Sequence, residues 1–260
     1  MTKEELLARV AKIREDNPID SAHFTALVMG KFGTGKTRLF KTCKFPCLID
    51  MFDPNGYSVL SKEIAEGKII VRKFMNENSQ KPTEYMRWER QWEEDIKTGF
   101  LNEFATYGID SLTTWIEACT NEIAKRKGHE DGVPKITAYP IVFNMAKDMI
   151  KLTSTQACDF IVTAHLTPDK DEVTGEITEE LETYPKLRSR IPILFSEKYV
   201  LLATSGAGGK TSYKLLTQPK GRFRASTQLG KDGLFLPEEE PNIKALLKKA
   251  GLPSEDKVWR

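Results

Sequence analysis

Eight consecutive residues, 30–37, carry the strongest chemical pattern in the chain. They read Gly-Lys-Phe-Gly-Thr-Gly-Lys-Thr, which fits the spacing G-x-x-x-x-G-K-T. Because glycine has no Cβ, successive backbone N–H groups can turn toward one anion and surround a phosphate. An apolar run, 24–29, precedes this loop, and the residues after it can continue as a helix. Strand, glycine-rich turn and helix in this order predict a site for the phosphates of a nucleotide.

The last two residues of this phosphate loop have distinct expected roles. Lys36 would reach the β- and γ-phosphates, and the Thr37 hydroxyl would bind Mg²⁺. The alternative, a glycine turn with an exposed lysine, explains neither the second glycine nor Thr37. The residues that we expect to contact the nucleotide are Gly30, Lys31, Phe32, Gly33, Thr34, Gly35, Lys36, Thr37 and Arg38.

Asp110 is the second candidate metal ligand, because it ends the apolar run 104–109. A carboxylate there can hold a water on Mg²⁺ beside Thr37. The alternative is that Asp110 caps the helix that follows, since Asp is a favoured N-cap residue. With a phosphate loop upstream, we expect the magnesium role.

Polar residues also follow two other predicted strands. His165 ends the run 160–164 and could bond to a γ-phosphate oxygen or to the attacking water, thereby sensing the nucleotide. The alternative is a buried histidine whose partners are backbone groups. Asp53 is our first candidate for the carboxylate that orients or deprotonates water, with Asp50 second. Alternatively, Asp53 only shapes the turn Asp-Pro-Asn-Gly.

Basic residues occur in two places in the second half of the chain. Arg222 and Arg224 alternate with Phe223, so in a strand both would point to one face. Either guanidinium could reach the γ-phosphate of a neighbouring subunit and stabilise transition-state charge; the alternative is a solvated edge strand. Lys186, Arg188 and Arg190 could contact DNA phosphates. Four acids argue against a simple basic groove there, namely Glu176, Glu179, Glu180 and Glu182.

The elements that must position these residues alternate between strand and helix. We predict strands at 24–29, 45–52, 68–72, 104–111, 160–164 and 198–204, a hairpin strand at 211–217, and helices near 3–15, 36–44, 57–66, 83–98, 112–127, 137–153 and 241–249. This order predicts an α/β protein with a mostly parallel sheet covered on both faces. Lys36, Asp53, Asp110 and His165 all fall at carboxyl ends of strands, where such sheets bind ligands, and this agrees with one site.

Three further segments have patterns that predict their local structure. Residues 166–190 show little apolar pattern and indicate a long loop, functional or disordered. Residues 83–98 carry an aromatic stripe, which we expect to dock on the sheet rather than to stack on bases. Residues 3–15 place Leu6, Leu7, Val10 and Ile13 on one stripe, which we expect to cover an edge of the core.

The length, hydrophobic content and net charge of the chain limit its possible domain organisation and partners. Its 260 residues, 40% hydrophobic, suit one core with small appendages: an N-terminal helix at 1–20, a core at 21–228 and a peripheral segment at 229–260. A formal net charge of +2 gives no global field for nucleic acid. Without a long apolar run or a signal-like N-terminus, we expect a cytoplasmic protein with no membrane contact.

Together these motifs resemble the AAA and RecA-like P-loop ATPases. More narrowly, they are similar to small phage-type ATPases of single-strand annealing and recombination systems. Residues 30–37, 107–113 and 160–165 carry the resemblance, with weaker matches at 187–195 and 221–224; it covers about 22–228. It implies a RecA-like fold in which the His165 strand lies between the loop strand and the Asp110 strand. It also implies Mg²⁺-ATP bound between subunits of a homo-oligomer, action on single-stranded DNA, phage recombination or replication partners, and the host cytoplasm.

One departure from this family bears on hydrolysis. Phe52 stands where the family commonly carries a glutamate, so hydrolysis would be slow or would use Asp53. We therefore expect an ATP-binding, ATP-hydrolysing phage protein that binds single-stranded DNA in a nucleotide-dependent way. The alternative is a nucleotide-gated adaptor that binds a protein partner and not DNA. A small-molecule kinase ranks last, because the 166–190 segment offers only Arg188 and Arg190 for a lid.

Overall fold

The computed structural model describes residues 2–16, 23–54, 56–128, 134–206 and 209–258. Its strands are β1 (Thr25–Gly30), β2 (Cys47–Met51), β3 (Ile69–Lys73), β4 (Thr106–Asp110), β5 (Asp159–Lys170), β6 (Ile177–Leu181), β7 (Glu197–Ser205), β8 (Thr211–Leu216) and β9 (Glu238–Glu239). Its α-helices are α1 (Lys3–Asp16), α2 (Lys36–Leu39), α3 (Ser61–Ala65), α4 (Glu84–Thr98), α5 (Leu112–Arg126), α6 (Tyr139–Thr153), α7 (Pro185–Arg188) and α8 (Ile243–Lys249).

Within these ranges the strands form one nine-stranded sheet in the order β3-β2-β4-β5-β1-β7-β8-β9, with β6 beside β5. Neighbours from β3 to β7 are parallel, whereas β8 and β9 add antiparallel strands at one edge. This arrangement confirms the predicted fold class, including the antiparallel hairpin. It also confirms that β5, which carries His165, lies between β1 and β4.

Helices cover both faces of the sheet, and β1 shows how. Leu27 and Met29 point into one hydrophobic cluster, to which α4, α5 and α6 contribute. Ala26 and Val28 point into a second cluster, which includes residues of α2 and α8. Alternate residues of a strand face opposite sides, so a strand buried on both faces is apolar throughout. Its polar neighbours are thereby confined to the ends of the strand.

The aromatic stripe of α4 packs inside the first cluster, as predicted. Tyr85, Trp88 and Trp92 are buried. The Trp88 ring lies edge-on to Trp115 of α5, with 5.3 Å between ring centroids. These side chains hold α4 and α5 on the sheet and are not available for stacking on bases.

The long loop predicted at 166–190 is wrong. β5 continues past His165 to Lys170 and turns back as β6, with Leu166 opposite Leu181 at the base and Lys170 opposite Ile177 near the tip. Backbone pairing holds this hairpin where it extends beyond the core. Both faces of its outer part meet solvent, so its residues carry no apolar alternation that a sequence pattern could detect.

The two ends of the chain also differ from expectation. Residues 3–16 form α1, but Leu6, Leu7 and Val10 are exposed, so they do not cover the core. Residues 1 and 17–22 of the predicted N-terminal unit and its boundary lie outside the described residues. The 229–260 segment is not peripheral in its described part, because β9 extends the sheet and Ile243, Leu246 and Leu247 are buried.

A membrane-spanning helix would have to be both long and strongly apolar. None of the helices within the described ranges meets those two conditions.

Candidate nucleotide-binding site

The phosphate loop connects β1 to α2 at the carboxyl edge of the sheet. Gly33 and Gly35 have φ values of 77° and 89°, in the left-handed region that favours glycine. A Cβ on Gly30 would lie 2.4 Å from the Thr34 hydroxyl and 2.9 Å from the Leu201 carbonyl oxygen. Three glycines are therefore required by backbone conformation or by close packing, which explains the spacing of the motif.

Lys36 lies buried at the centre of this loop. Its ammonium donates hydrogen bonds to the carbonyl oxygens of Gly30 at 2.9 Å and Lys31 at 3.1 Å. It also contacts Nδ1 of His165 at 3.3 Å. Burial lowers the pKa of Lys36, while the negative charges of Asp110 and Asp53 oppose that shift. The cation therefore lies where an incoming phosphate would need it.

Asp110 is fully buried between two hydroxyl groups. Thr37 Oγ1 donates to its Oδ2 at 2.6 Å, and Thr163 donates to its Oδ1. The capping position of α5 belongs to Ser111, so the alternative role of Asp110 as a cap is wrong. We did not predict Thr163. Its signal is a polar residue two positions before His165 in an otherwise apolar strand, hence on the same face.

These residues fit a magnesium ion by their chemistry and by the space around them. A hydroxyl and a carboxylate are hard oxygen ligands, which Mg²⁺ prefers. A Cβ on Gly56 would lie 3.4 Å from Thr37 Oγ1 and 3.7 Å from Asp110 Oδ2, so this glycine keeps their far side open. Burial and the negative charge of Asp53 raise the pKa of Asp110 and the Lys36 charge opposes that shift, but no basic side chain of the described chain lies within ion-pair distance of this carboxylate. A divalent cation would supply the missing positive charge.

The turn after β2 is tied to the end of β4. The backbone N–H groups of Phe52 and Asp53 donate to the Asp110 carbonyl oxygen at 2.7 and 3.1 Å. The Phe52 side chain packs into the core, 5.4 Å from the ring of Phe74 between centroids. Phe52 thus packs into the core, whereas the next residue, Asp53, places a carboxylate beside Lys36 and His165.

The Asp53 carboxylate meets three donors. Ser111 and Thr114 donate their hydroxyls to Oδ1 at 2.7 and 2.6 Å, and His165 Nε2 lies 3.0 Å from Oδ2. Burial raises the pKa of Asp53, but the hydrogen bonds from His165, Thr114 and Ser111 outweigh it and lower the pKa below its usual value. We did not predict Ser111 or Thr114 as site residues, although both follow Asp110 closely in the sequence.

His165 therefore connects two charged residues of the site. Its ring lies between Lys36 and Asp53, and its backbone N–H donates to Thr113 Oγ1 at 3.0 Å. The alternative of a histidine satisfied only by backbone groups is wrong.

Asp50 is not part of this site, so the second candidate for a water-orienting carboxylate is wrong. It is fully buried in β2 and accepts two hydrogen bonds from Arg72, at 2.6 and 2.8 Å. Trp88 Nε1 and the Tyr107 hydroxyl donate to its Oδ2 at 2.9 and 2.6 Å. Four donors satisfy this carboxylate, which joins β2, β3, β4 and α4.

The two candidate arginines pair with acids of the β5–β6 hairpin. Arg222 Nε lies 3.1 Å from Glu179 Oε1, and Arg224 Nη2 lies 2.5 Å from Glu176 Oε1. Lys31 of the phosphate loop contacts the same buried Glu179 oxygen at 2.8 Å. Arg222 thus lies one ion pair away from the phosphate loop of its own chain, and both guanidiniums are half-exposed.

A cleft of about 440 Å³ opens above the loop. Eight of the residues predicted from the sequence line this cleft, namely Phe32, Gly33, Gly35, Lys36, Thr37, Arg38, Asp53 and His165. Six other predicted residues do not line it, namely Gly30, Lys31, Thr34, Asp110, Arg222 and Arg224. Tyr213, from the β7–β8 hairpin, also lines the cleft, and no sequence pattern pointed to it. A smaller cleft of about 210 Å³ adjoins it and shares Gly35, Arg38 and Tyr213.

Comparison with protein families places this site in a known context. A family profile described as an AAA domain matches residues 22–213. The chain belongs to this AAA domain family. The AAA domain contains Lys36, Thr37, Asp53, Asp110 and His165, whereas both candidate arginines lie beyond it. A comparison of this AAA-domain chain with curated proteins finds no match.

Solved structures similar to this AAA-domain chain include two from distant proteins. One is a KaiC-like protein from the hyperthermophilic archaeon Pyrococcus horikoshii OT3, with a TM-score of 0.47 and 13% identity, covering 80% of this chain and 84% of that protein. Another is an ATPase from the type III secretion system of pathogenic bacteria, with a TM-score of 0.43 and 14% identity, covering 71% of this chain and 55% of that one.

Proposed function

We propose that this protein binds Mg²⁺-ATP and hydrolyses it. The observation that carries this proposal is the 2.6 Å contact between Thr37, the last residue of the phosphate loop, and the buried Asp110 at the end of β4. Together these two residues would hold Mg²⁺, which neutralises developing charge on the phosphates when bound. Lys36 would bind the β- and γ-phosphates, with backbone N–H groups of 30–35 around them.

Hydrolysis also needs a group that orients water. Asp53 and His165 are the pair that supports this role, because both line the cleft and they are 3.0 Å apart. Phe52 offers no carboxylate, so turnover is expected to be slow. ATP rather than GTP is proposed from the family resemblance.

We further propose a homo-oligomer in which ATP is bound between subunits, with Arg222 or Arg224 reaching the neighbour's γ-phosphate. The half-exposed position of both guanidiniums supports this. Each would have to leave its own glutamate, Glu179 or Glu176. An arginine can exchange a carboxylate for a phosphate because both groups accept two parallel N–H bonds from its guanidinium.

The finer role that we propose is nucleotide-dependent binding of single-stranded DNA in phage recombination or replication, in the host cytoplasm. A surface on α6 supports it. Tyr139 and Tyr184 are partly exposed and contact each other with 4.1 Å between ring centroids, and the Arg190 guanidinium covers the buried Phe143 ring at 3.9 Å from its centre. Lys186 and Arg190 are both exposed. Aromatic and basic groups on one surface suit the bases and phosphates of a single strand.

The second candidate function is a nucleotide-gated adaptor that binds a protein. It is favoured by the tip of the β5–β6 hairpin, where Asp171 and Glu172 are exposed and Val173 is 94% exposed. Acids at that tip would repel DNA phosphates, whereas an apolar residue between acids suits a protein partner.

The deciding experiment is ATP hydrolysis by the purified protein, with and without single-stranded DNA, beside Lys36→Ala. We expect slow turnover that DNA stimulates and the variant loses. DNA binding should also weaken steeply with salt. Turnover that persists in Lys36→Ala would overturn the site. ATP binding without turnover or DNA effect would favour the adaptor.

A further inference from the structure

The hydrogen bonds of Lys36 fix the proton positions on His165. A lysine ammonium has three donors and no acceptor. The three acceptors around it are the Gly30 and Lys31 carbonyl oxygens and His165 Nδ1. Nδ1 therefore carries a lone pair, and the ring proton of the neutral imidazole is on Nε2.

The Asp53 carboxylate receives that proton as a hydrogen bond and is held in place by two further donors. Its Oδ2 faces Nε2–H at 3.0 Å, while its Oδ1 accepts from both Ser111 and Thr114. Three donors from the same chain fix the orientation of this carboxylate, with Oδ2 turned toward the imidazole. Asp53 is thus a positioning residue for His165.

Nucleotide binding would release Nδ1. In the proposed function, on which this inference rests, Lys36 moves onto the phosphates and leaves its contact with the imidazole. We propose that His165 Nδ1 is then the acceptor for the attacking water, and that Asp53 acts only through His165. The histidine would be ready for water only when a phosphate has drawn Lys36 away.

The step balances without any further reactant. The water oxygen forms a bond to the γ-phosphorus while Nδ1 takes one water proton. The bond between the γ-phosphorus and the β,γ-bridging oxygen breaks, and its electron pair goes to the β-phosphate of ADP. The imidazolium is stabilised through Nε2–H by Asp53, and later loses its extra proton to solvent. General-base catalysis of this kind contributes about 10²–10⁴-fold.

The first test reads the tautomer in the protein without nucleotide. Two-bond ¹H–¹⁵N correlation spectra at about pH 8, where an ordinary histidine is neutral, should show His165 as the Nε2–H form. His165→Asn identifies its signals among those of the three histidines. Asp53→Asn should keep the Nε2–H form, because Lys36 still donates to Nδ1 and the amide oxygen can accept from Nε2–H. An Nδ1–H form in the wild type would overturn the inference.

The second test is a matched pair of substitutions at His165. His165→Asn keeps an amide acceptor near the position of Nδ1, whereas His165→Gln keeps a polar group near Nε2. If Nδ1 takes the water proton, neither amide can replace it as a base, so both variants should lower kcat by about 10²-fold or more. Asp53→Asn should lower kcat by about 10²-fold or more, with ATP affinity kept within about threefold. Turnover close to that of the wild type in either variant would overturn the role of Nδ1.

The two tests separate this inference from the proposed function. An Nδ1–H tautomer in a wild type with normal turnover would overturn the inference alone. An Nε2–H tautomer in a wild type that binds ATP without hydrolysing it would overturn both the proposed hydrolysis and the role of His165 in it.

Discussion

Lys36 is the residue on which phosphate binding depends most, since its ammonium is buried and already aimed into the loop. We predict that Lys36→Ala weakens ATP binding at least about 100-fold, because charge-assisted hydrogen bonds contribute up to about 3 kcal/mol. Calorimetric titration measures this directly. Lys62→Ala is the control, since that side chain is 77% exposed. ATP affinity equal to the wild type in Lys36→Ala would contradict the assignment of the loop.

A substitution at Gly56 tests the proposed Mg²⁺ site without replacing either of its two ligands, Thr37 and Asp110. Its missing Cβ leaves space beside Thr37 and Asp110, so Gly56→Ala would crowd an ion and its waters. The added methyl would be in ordinary contact with Thr37 and Asp110 but would take space that the ion and its waters need, so the Mg²⁺ concentration for half-maximal ATP binding should rise at least about fivefold. Nucleotide binding in EDTA and the melting temperature should both stay as in the wild type. An unchanged Mg²⁺ requirement would place the ion elsewhere.

At the scale of elements, Asp50 joins three strands and a helix by its hydrogen bonds. We predict that Asp50→Asn lowers the free energy of unfolding by about 1–3 kcal/mol, because the partly buried Arg72 loses one of its two carboxylate partners and keeps Asp95. ATP affinity should change little, since Asp50 is outside the cleft. Urea unfolding measures the first quantity and calorimetry the second. Glu94→Gln, an exposed position on α4, should stay within about 0.5 kcal/mol of the wild type.

The sequence indicates most of these elements but not all of their contacts. Leu27 to Met29 of β1 are apolar on both faces, and this pattern alone is typical of a central strand. The β5–β6 hairpin leaves no such mark, because its pairing depends on backbone groups that every residue carries.

The residues of the site, like the elements, include some that the sequence predicts and some that it does not. The loop, Asp110 and His165 are predictable, because each follows an apolar run at a strand end. The hydroxyls of Thr163, Ser111 and Thr114 are not, since their partners come from distant segments. The contact between Asp53 and His165 joins residues 112 positions apart, and only the strand order brings them together.

At the scale of the whole molecule, the proposed oligomer makes a testable demand on the two arginines. Lys36→Ala and the double variant Arg222→Ala/Arg224→Ala should each lack turnover alone. If an arginine acts across a head-to-tail interface, an equal mixture should recover about one quarter of wild-type turnover, because half of the intact loops then meet an intact arginine and only half of the loops are intact.

The mixing experiment also has an outcome that would contradict the proposed role of the arginines across an interface. If both arginines serve only their own chain, through Glu179 and Glu176, the mixture stays inactive although the subunits still exchange. Exchange itself can be followed by energy transfer between labelled chains, which serves as the control.

The position of β5 between β1 and β4 also governs how the chain can be made. Phe24 and Asp159 share a hydrogen bond across 135 residues, so β1 cannot pair with β5 until that much more chain has left the ribosome. At about 5–20 residues per second this takes on the order of ten seconds. During synthesis, β1 and β4 therefore present open apolar edges to other chains, and dilution or chaperones should raise the yield of folded protein.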